Sequence, residues 1–173
     1  MKRELRELNK HDREAFLDAA ITLWKTPTLE GRQLYGSSFT GMDKFVQVHA
    51  DSATGDVQCD HWHEGTGFLT HHLALSLSFE AALRAVNPAV TTPYWDFTID
   101  GEAIKIWGGG PSMLTSVNDF FTSKWFGSVD DESHVADGRW AHVDAVMYNG
   151  GLLRNSYVHE GFVQRARAFL WLF

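Results

Sequence analysis

The stretch that decides the fold is HWHEGTGFLTHH, His61 to His72, together with LALSLSFEAALRAV at residues 73–86. Four of the nine histidines in the chain lie within the first twelve of these residues. They stand directly before a run whose apolar side chains recur with helical spacing. Such histidines are either polar residues of a surface loop or metal ligands. The rest of the sequence has to distinguish the two interpretations.

The run from about Phe68 to Val86 predicts a helix with one inward face. Its stripe consists of His72, Leu75, Ser76, Phe79, Ala82, Leu83 and Val86. Asn87 and Pro88 end the helix, because proline disfavours helical backbone in the residue before it. His72 lies on the apolar face, where an imidazole needs partners for both nitrogens. A lone histidine there is more often a hydrogen-bonded core residue than a ligand.

Two further helices are predicted before this one. Residues 9–25 carry apolar side chains at helical spacing, with Asn9 as the N-cap, and Pro27 follows the end. The segment MDKFVQVHA, residues 42–50, predicts a short helix on which Phe45 and His49 lie one turn apart. We expect the glycine-containing segment between these helices, and most of residues 50–67, to be loop.

Composition limits the classes of function. The chain has 173 residues, 44% of them hydrophobic and 21% charged, which is typical of one globular domain with a core. A net charge of −7 argues against nucleic-acid binding. We expect no membrane span and no secretory signal, because the sequence has no long apolar run and its first residues are charged. A single cysteine, Cys59, excludes an internal disulfide framework. Localisation and oligomeric state stay open.

Three histidines can converge on one point. His49 and His72 lie on two neighbouring helices, and His63 lies in the loop between them. Imidazoles that meet from two helices and a connecting loop form a site for copper or zinc. We expect the helices at about 42–50 and 68–86 to run antiparallel and to present His49 and His72 toward each other, with His63 closing the site.

A family resemblance strengthens this interpretation. The run His63, Phe68, His72, Phe79 and Glu80, followed by PYWD at residues 93–96, resembles the first copper-binding motif of type-3 copper proteins. This family contains the tyrosinases, the catechol oxidases and the molluscan-type hemocyanins. The segment MDKFVQVHA and the opening residues are also similar to the family, so the resemblance covers roughly residues 2–98.

The resemblance implies a mainly α-helical fold, namely the N-terminal half of a type-3 copper bundle with irregular loops. It implies that His49, His63 and His72 bind copper, whereas His61 and His71 are polar residues outside the site. Residues 1–100 would form the first copper-binding region, and residues 101–173 a connecting region and tail of the same domain.

The loop before His63 departs from the family pattern. Some members link a cysteine to the second histidine through a Cys-x-His sequence, but here Cys59 precedes His61 in that spacing. Either the loop is shifted so that His61 binds in place of His63, or Cys59 is a small, half-buried residue without a thioether bond.

Several neighbours of the motif are expected to support the site. Phe68 lies one turn from His72 and is expected to pack beside its imidazole. The side chains of Tyr94, Trp95 and Asp96 are expected to be core or supporting residues, with Asp96 accepting a hydrogen bond from an imidazole or a backbone group. For Glu80, an ion pair is the simplest expectation.

The second copper site of the family is not found in this sequence. In family members two of its three ligands lie four residues apart on one helix, but the histidines that follow His72, namely His134, His142 and His159, form no such pair. The apolar end at 171–173 suggests a chain that is cut short. We also expect a short helix at 118–126, extended pieces around 92–98 and 139–148, and a less ordered C-terminal third.

The resemblance implies a copper-dependent oxidoreductase that oxidises mono- or diphenols to quinones with dioxygen. Dioxygen and phenolic small molecules would be its partners. Three alternatives remain open: a hemocyanin-like oxygen binder, a fragment that binds a single copper or zinc ion without turnover, and a fragment that cannot fold alone and aggregates through its apolar tail. Oxidation of a diphenol distinguishes the first interpretation from the others.

Overall fold

A computed structural model describes residues 2–52, 60, 62–63, 65–110, 113, 116–128, 130–131, 134–143, 145–146 and 152–153. A 3-10 turn at Leu5–Glu7 comes first. The helices are α1 (Lys10–Lys25), α2 (Thr28–Tyr35), α3 (Met42–Ser52), α4 (Gly67–Val86) and α5 (Phe97–Ile106). Strands β1 (Ala145–Val146) and β2 (Leu152–Leu153) pair antiparallel. The described residues are therefore mainly α-helical, as predicted.

Helix α1 is the centre of the core. Asn9 begins it, because its side chain accepts a hydrogen bond of 2.9 Å from the backbone N–H of Asp12. One side of the helix is buried and packs against α3 and α4. The buried residues are Phe16, Leu17, Ala19, Ala20, Leu23 and Trp24. The predicted helix, its cap and its apolar face are confirmed.

Helices α3 and α4 run antiparallel with their rings in contact. The ring of Phe45 lies 5.6 Å from that of Phe79, and the ring of His49 lies 5.8 Å from that of His72. Residue numbers rise along α3 from Phe45 to His49, while those of the contacted residues on α4 decrease from Phe79 to His72. The two helices therefore run in opposite directions. The prediction that His49 and His72 face each other is confirmed.

The loop predicted between α1 and α3 is wrong in part, because it contains α2. Gly31 lies in the middle of this helix, and a Cβ atom there would come within 1.9 Å of the Phe39 ring. The buried Phe39 thus packs directly against helical backbone. This contact between distant residues outweighs the low helix propensity of glycine.

The extended segment predicted at 92–98 is correct only up to Asp96. Tyr94 pairs with the N-terminus through backbone hydrogen bonds of 2.9 Å, from Leu5 N–H to its oxygen and from its own N–H to Arg3 oxygen. Tyr94 is 46% exposed, so of its two expected roles, core or supporting residue, the core role is wrong. Helix α5 then begins at Phe97, capped by the Asp96 carboxylate, which accepts from the backbone N–H of Thr98.

A buried polar group, here called the Asp100 cluster, attaches α5 to both neighbouring segments. Asp100 is 2% exposed and accepts hydrogen bonds from Arg6, from the Trp95 indole at 2.6 Å and from Asn118 at 3.2 Å. Arg6 also pairs with Glu4. One charged donor and two neutral donors are therefore paired with the Asp100 carboxylate inside this cluster.

The short helix predicted at 118–126 is wrong, because this segment is a series of turns. Side chains of the segment hydrogen-bond its own backbone. Asn118 accepts from the N–H of Phe120 at 2.9 Å, and the Thr122 hydroxyl donates to Asp119 oxygen at 2.7 Å. Such local bonds compete with helical ones. They leave Phe120, Trp125 and Phe126 buried.

The extended piece predicted at 139–148 is found only at β1 among the described residues, since 139–142 form turns. Strand β1 lies beside α3. Residues 144, 147–148 and the tail from 154 to 173 lie outside the described residues. Among the described helices, none combines the length with the apolar character that a membrane span requires.

Candidate metal centre

Three imidazoles from three parts of the chain meet at one point. His49 comes from the last turn of α3, His72 from the second turn of α4, and His63 from the turn before α4. Each offers a ring nitrogen, and these nitrogens all lie within 4.8 Å of one another. The ring centroids are 4.9 to 5.8 Å apart, and the ring planes stand steeply to one another. This is the imidazole cluster.

The carboxylate of Asp60 contacts His63 on the side of the ring that faces away from the other two imidazoles' nitrogens, at Nδ1. Both Asp60 oxygens lie close to the Nδ1 atom of His63, at 3.0 and 2.8 Å. The Oδ1 atom also accepts from the backbone N–H groups of Trp62 and His63, at 3.1 and 3.0 Å. Burial alone would raise the pKa of Asp60, but these hydrogen bonds outweigh it, and the pKa lies below the ordinary value. Asp60 is therefore a carboxylate at neutral pH.

The orientation of His72 is set by its own helix. Its Nδ1 atom lies 2.8 Å from the backbone oxygen of Phe68, one turn earlier, so Nδ1 carries the proton and donates it. The Phe68 ring lies 4.4 Å from the imidazole. The predicted packing of Phe68 beside His72 is confirmed. This arrangement leaves the Nε2 atom of His72 as the nitrogen with a lone pair.

His49 is kept in its neutral form. Burial is the largest cause that lowers its pKa, and the positive forms of His63 and His72 lower it further, whereas Asp60 acts in the opposite direction. Its Nε2 atom lies 3.1 Å from the Nε2 atom of His63. Two ring nitrogens at that distance need a proton or a cation between them, because facing lone pairs repel. A neutral imidazole is the form that binds a metal.

Sequence reasoning missed Trp62 as a neighbour of the site. Its ring is edge-on to those of His49 and His72, at 6.0 and 5.7 Å, and it stacks on His71 at 5.1 Å with an angle of 5°. His71 therefore packs against Trp62 and is not one of the three histidines whose ring nitrogens converge. The available signal was the placement of Trp62 next to a candidate ligand.

Sequence reasoning also missed Asp60 as a partner of His63. The signal was an Asp three residues before the histidine, the spacing of a turn in which an Asp side chain accepts backbone N–H groups. His61 and Cys59 lie outside the described residues. The choice between His61 and His63, and the question of a thioether bond at Cys59, therefore stay predictions.

Glu80, Trp95 and Asp96, which the sequence predicts as supporting residues, have their contacts away from the three imidazoles. Glu80 pairs with Lys2 at 3.4 Å, which confirms the predicted ion pair, and it also accepts from the backbone N–H of Thr92. Trp95 donates to Asp100. Asp96 accepts from backbone, the second of its two predicted partners.

Outside the imidazole cluster, the remaining histidines are spread along the chain. The Nδ1 atom of His134 lies 3.6 Å from Asp130, and His142 is exposed. His159 lies outside the described residues. Within the described ranges, the only group of three or more His, Cys, Asp or Glu side chains with ligand spacing is His49, His63 and His72.

The donor set fits a transition metal. Three imidazoles with steeply inclined planes suit copper or zinc, whose nitrogen ligands lie about 2.0–2.1 Å from the ion. Two of the three have the Nδ1 partner that metal-binding histidines typically need, a carboxylate for His63 and a backbone oxygen for His72. Three ligands leave a coordination position open.

Comparison with known proteins agrees with this chemistry. Residues 40–164 match the model of the common central domain of tyrosinase, a family that uses copper. The chain is 39% identical over 71 residues to a grixazone synthase of Streptomyces griseus subsp. griseus, which covers 38% of this chain and 23% of that protein. It is 36% identical over 63 residues to a tyrosinase of Streptomyces glaucescens, or 35% of this chain and 23% of the relative.

A third relative gives the same result. The chain is 35% identical over 69 residues to a tyrosinase of Streptomyces lincolnensis, which covers 39% of this chain and 25% of that protein. The matched part of the chain therefore spans only about a quarter of the length of these curated relatives.

Proposed function

This chain belongs to the tyrosinase family, and on that premise we propose that His49, His63 and His72 hold one copper of a site whose chemistry requires a second copper. The proposed activity is that of a copper-dependent oxidoreductase, which oxidises mono- or diphenols to quinones with dioxygen. The observation that supports it best is the meeting of three ring nitrogens within 4.8 Å of one another. We propose further that residues 1–100 form the first copper-binding region and that residues 101–173 are a connecting region and tail of the same domain.

Bound copper would supply one-electron redox chemistry and an open position for a small ligand. The residues of the chain have three tasks. Helices α3 and α4 fix the distance between His49 and His72 through the contact of Phe45 with Phe79. Asp60 and the Phe68 oxygen each accept the Nδ1 proton of one imidazole, so that the opposite nitrogen faces inward. Trp62 covers the rings from one side.

A second candidate function is a single-metal site, for copper or zinc, without turnover. It is favoured by one observation: in the part of the chain that the structure describes, one group of side chains has the spacing of metal ligands. A site for one ion can bind small molecules, but it cannot bridge dioxygen between two metals as the type-3 copper chemistry requires. A hemocyanin-like oxygen binder would also lack diphenol turnover.

One experiment separates these functions. The purified chain is loaded with Cu(II), and copper per chain, the electron paramagnetic resonance signal and oxygen uptake with catechol are measured. Roughly one copper per chain with a full signal and no oxygen uptake would favour the single-metal site. Two coppers per chain, a weak signal and quinone formation would favour the phenol oxidase. A chain that takes up no copper would contradict both.

A further inference from the structure

We propose that Asp60 is a positioning residue of the copper site and that its negative charge shifts the affinity of the site toward Cu(II) relative to Cu(I). The inference rests on the proposed function, because it requires copper to bind at His63. It concerns a different property, however: not whether the site takes copper, but which oxidation state it stabilises.

The contacts of Asp60 join the ring of His63 to the backbone around it. Both carboxylate oxygens lie within 3.0 Å of Nδ1, so this nitrogen carries the proton and Nε2 keeps the lone pair. The same carboxylate accepts the backbone N–H groups of Trp62 and His63. One side chain therefore sets both the turn and the direction in which the imidazole points.

The charge of Asp60 distinguishes His63 from His72. The Nδ1 atom of His72 donates to a neutral backbone oxygen, whereas that of His63 donates to a carboxylate. A hydrogen bond to a carboxylate makes the imidazole a stronger electron donor to a metal on its other nitrogen. The Asp60 side chain is 15% exposed, so solvent screens its charge only in part.

A negative charge one imidazole away from the ion acts unequally on the two oxidation states. Its attraction grows with the charge of the ion, so Cu(II) gains more than Cu(I). Removing the charge while keeping the shape should therefore weaken Cu(II) binding selectively. A residue that only held the turn in place would affect both ions alike when it is replaced.

The test compares Asp60→Asn with the unaltered chain, by chelator competition for Cu(II) and for Cu(I). Asparagine keeps an oxygen for the backbone N–H groups and for Nδ1 but has no charge. We expect the Cu(II) affinity to fall about tenfold and the Cu(I) affinity to change much less. A tenfold difference between the two ions corresponds to a reduction potential higher by about 59 mV.

A matched control is Asp96→Asn. Asp96 also accepts a backbone N–H, that of Thr98, but as the cap of α5. We expect both copper affinities to stay unchanged in this variant. A second variant, Asp60→Glu, keeps the charge and displaces it, so we expect it to weaken both ions while their affinity ratio stays close to that of the unaltered chain.

The outcomes separate this inference from the proposed function. If the unaltered chain binds neither copper ion, the proposed function fails and the inference with it. If the chain binds copper and Asp60→Asn leaves the ratio of Cu(II) to Cu(I) affinity unchanged, the inference alone is overturned. If Asp60→Asn does not keep its circular dichroism spectrum, Asp60→Ser decides, because its hydroxyl can still accept a backbone N–H but carries no charge; an unchanged ratio in that variant overturns the inference.

Discussion

The imidazole cluster and the Asp100 cluster both collect polar side chains from distant parts of the chain, but they differ in chemistry. The Asp100 cluster combines carboxylates with a guanidinium, an indole N–H and an amide, so each donor meets an acceptor. The imidazole cluster brings together three side chains of one kind around one point. The first group is complete in itself, whereas the second is complementary to a cation.

This difference indicates which cluster serves the fold and which serves a ligand. Mutual pairing of opposite charges contributes to attaching segments, and the Asp100 cluster joins the N-terminal turn, α5 and residue 118. The three imidazoles contribute no such pairing of opposite charges, and burial, together with the neighbouring rings, lowers the pKa of His49. The following predictions test this distinction, beginning with the largest effect.

Replacing His72 should remove the metal and spare the fold. In His72→Ala we expect the copper affinity to fall by more than the roughly 100-fold that loss of a supporting group can cost. Helix α4 should remain, because alanine is the best helix former. Copper per chain and circular dichroism measure the two effects.

The neighbouring His71→Ala is the matched control for this variant. His71 stacks on Trp62, so we expect only a modest loss of copper affinity. If His71→Ala lost the metal and His72→Ala retained it, the assignment of ligands on α4 would be wrong. The same comparison between His61→Ala and His63→Ala tests the assignment in the preceding loop.

Replacing Asp100 should have the reverse effect. In Asp100→Ala, Arg6, Trp95 and Asn118 lose a buried acceptor. We expect the free energy of unfolding to fall by about 3 kcal/mol, the low end for a broken buried pair, since the Arg6 side chain is 29% exposed. Urea denaturation measures this loss. The copper affinity of the folded variant should not change, and a parallel loss of copper would contradict the separation of the two clusters.

Replacing Trp62 should have the smallest effect of the three. The indole packs edge-on against His49 and His72 without offering a ligand. In Trp62→Ala we expect the copper affinity to fall by at most about tenfold, and Trp62→Phe should restore most of it because an aromatic edge contact remains. Isothermal titration with Cu(II) measures the change.

Trp107→Ala is the control for this variant, because Trp107 is 61% exposed at the end of α5. It should bind copper like the unaltered chain. An equal loss in the two variants would mean that the effect of Trp62 is not specific to the imidazole rings.

The predictable parts of the fold are those in which local rules and packing agree. Helix α1 has an Asn cap and one apolar face, and α4 has an apolar stripe and an Asn-Pro end, so the pattern alone locates both. The segment at 118–126 carried apolar residues but folds into turns, because Asn118 and Thr122 bond the nearby backbone. Helix α2 was missed because its glycine suggested a loop, whereas Gly31 is helical and packs against the Phe39 ring.

The sequence by itself predicted His49, His63 and His72 as candidate ligands, through helical period and the family resemblance, and left His61 as the alternative to His63. Only the tertiary structure showed that their nitrogens converge, that Asp60 orients His63 and that Trp62 covers the rings. The physical reason is that the helical period of a sequence determines only on which face of its own helix a side chain lies. Contacts between elements depend on how α3, α4 and the turn before α4 pack around α1, which no local pattern specifies.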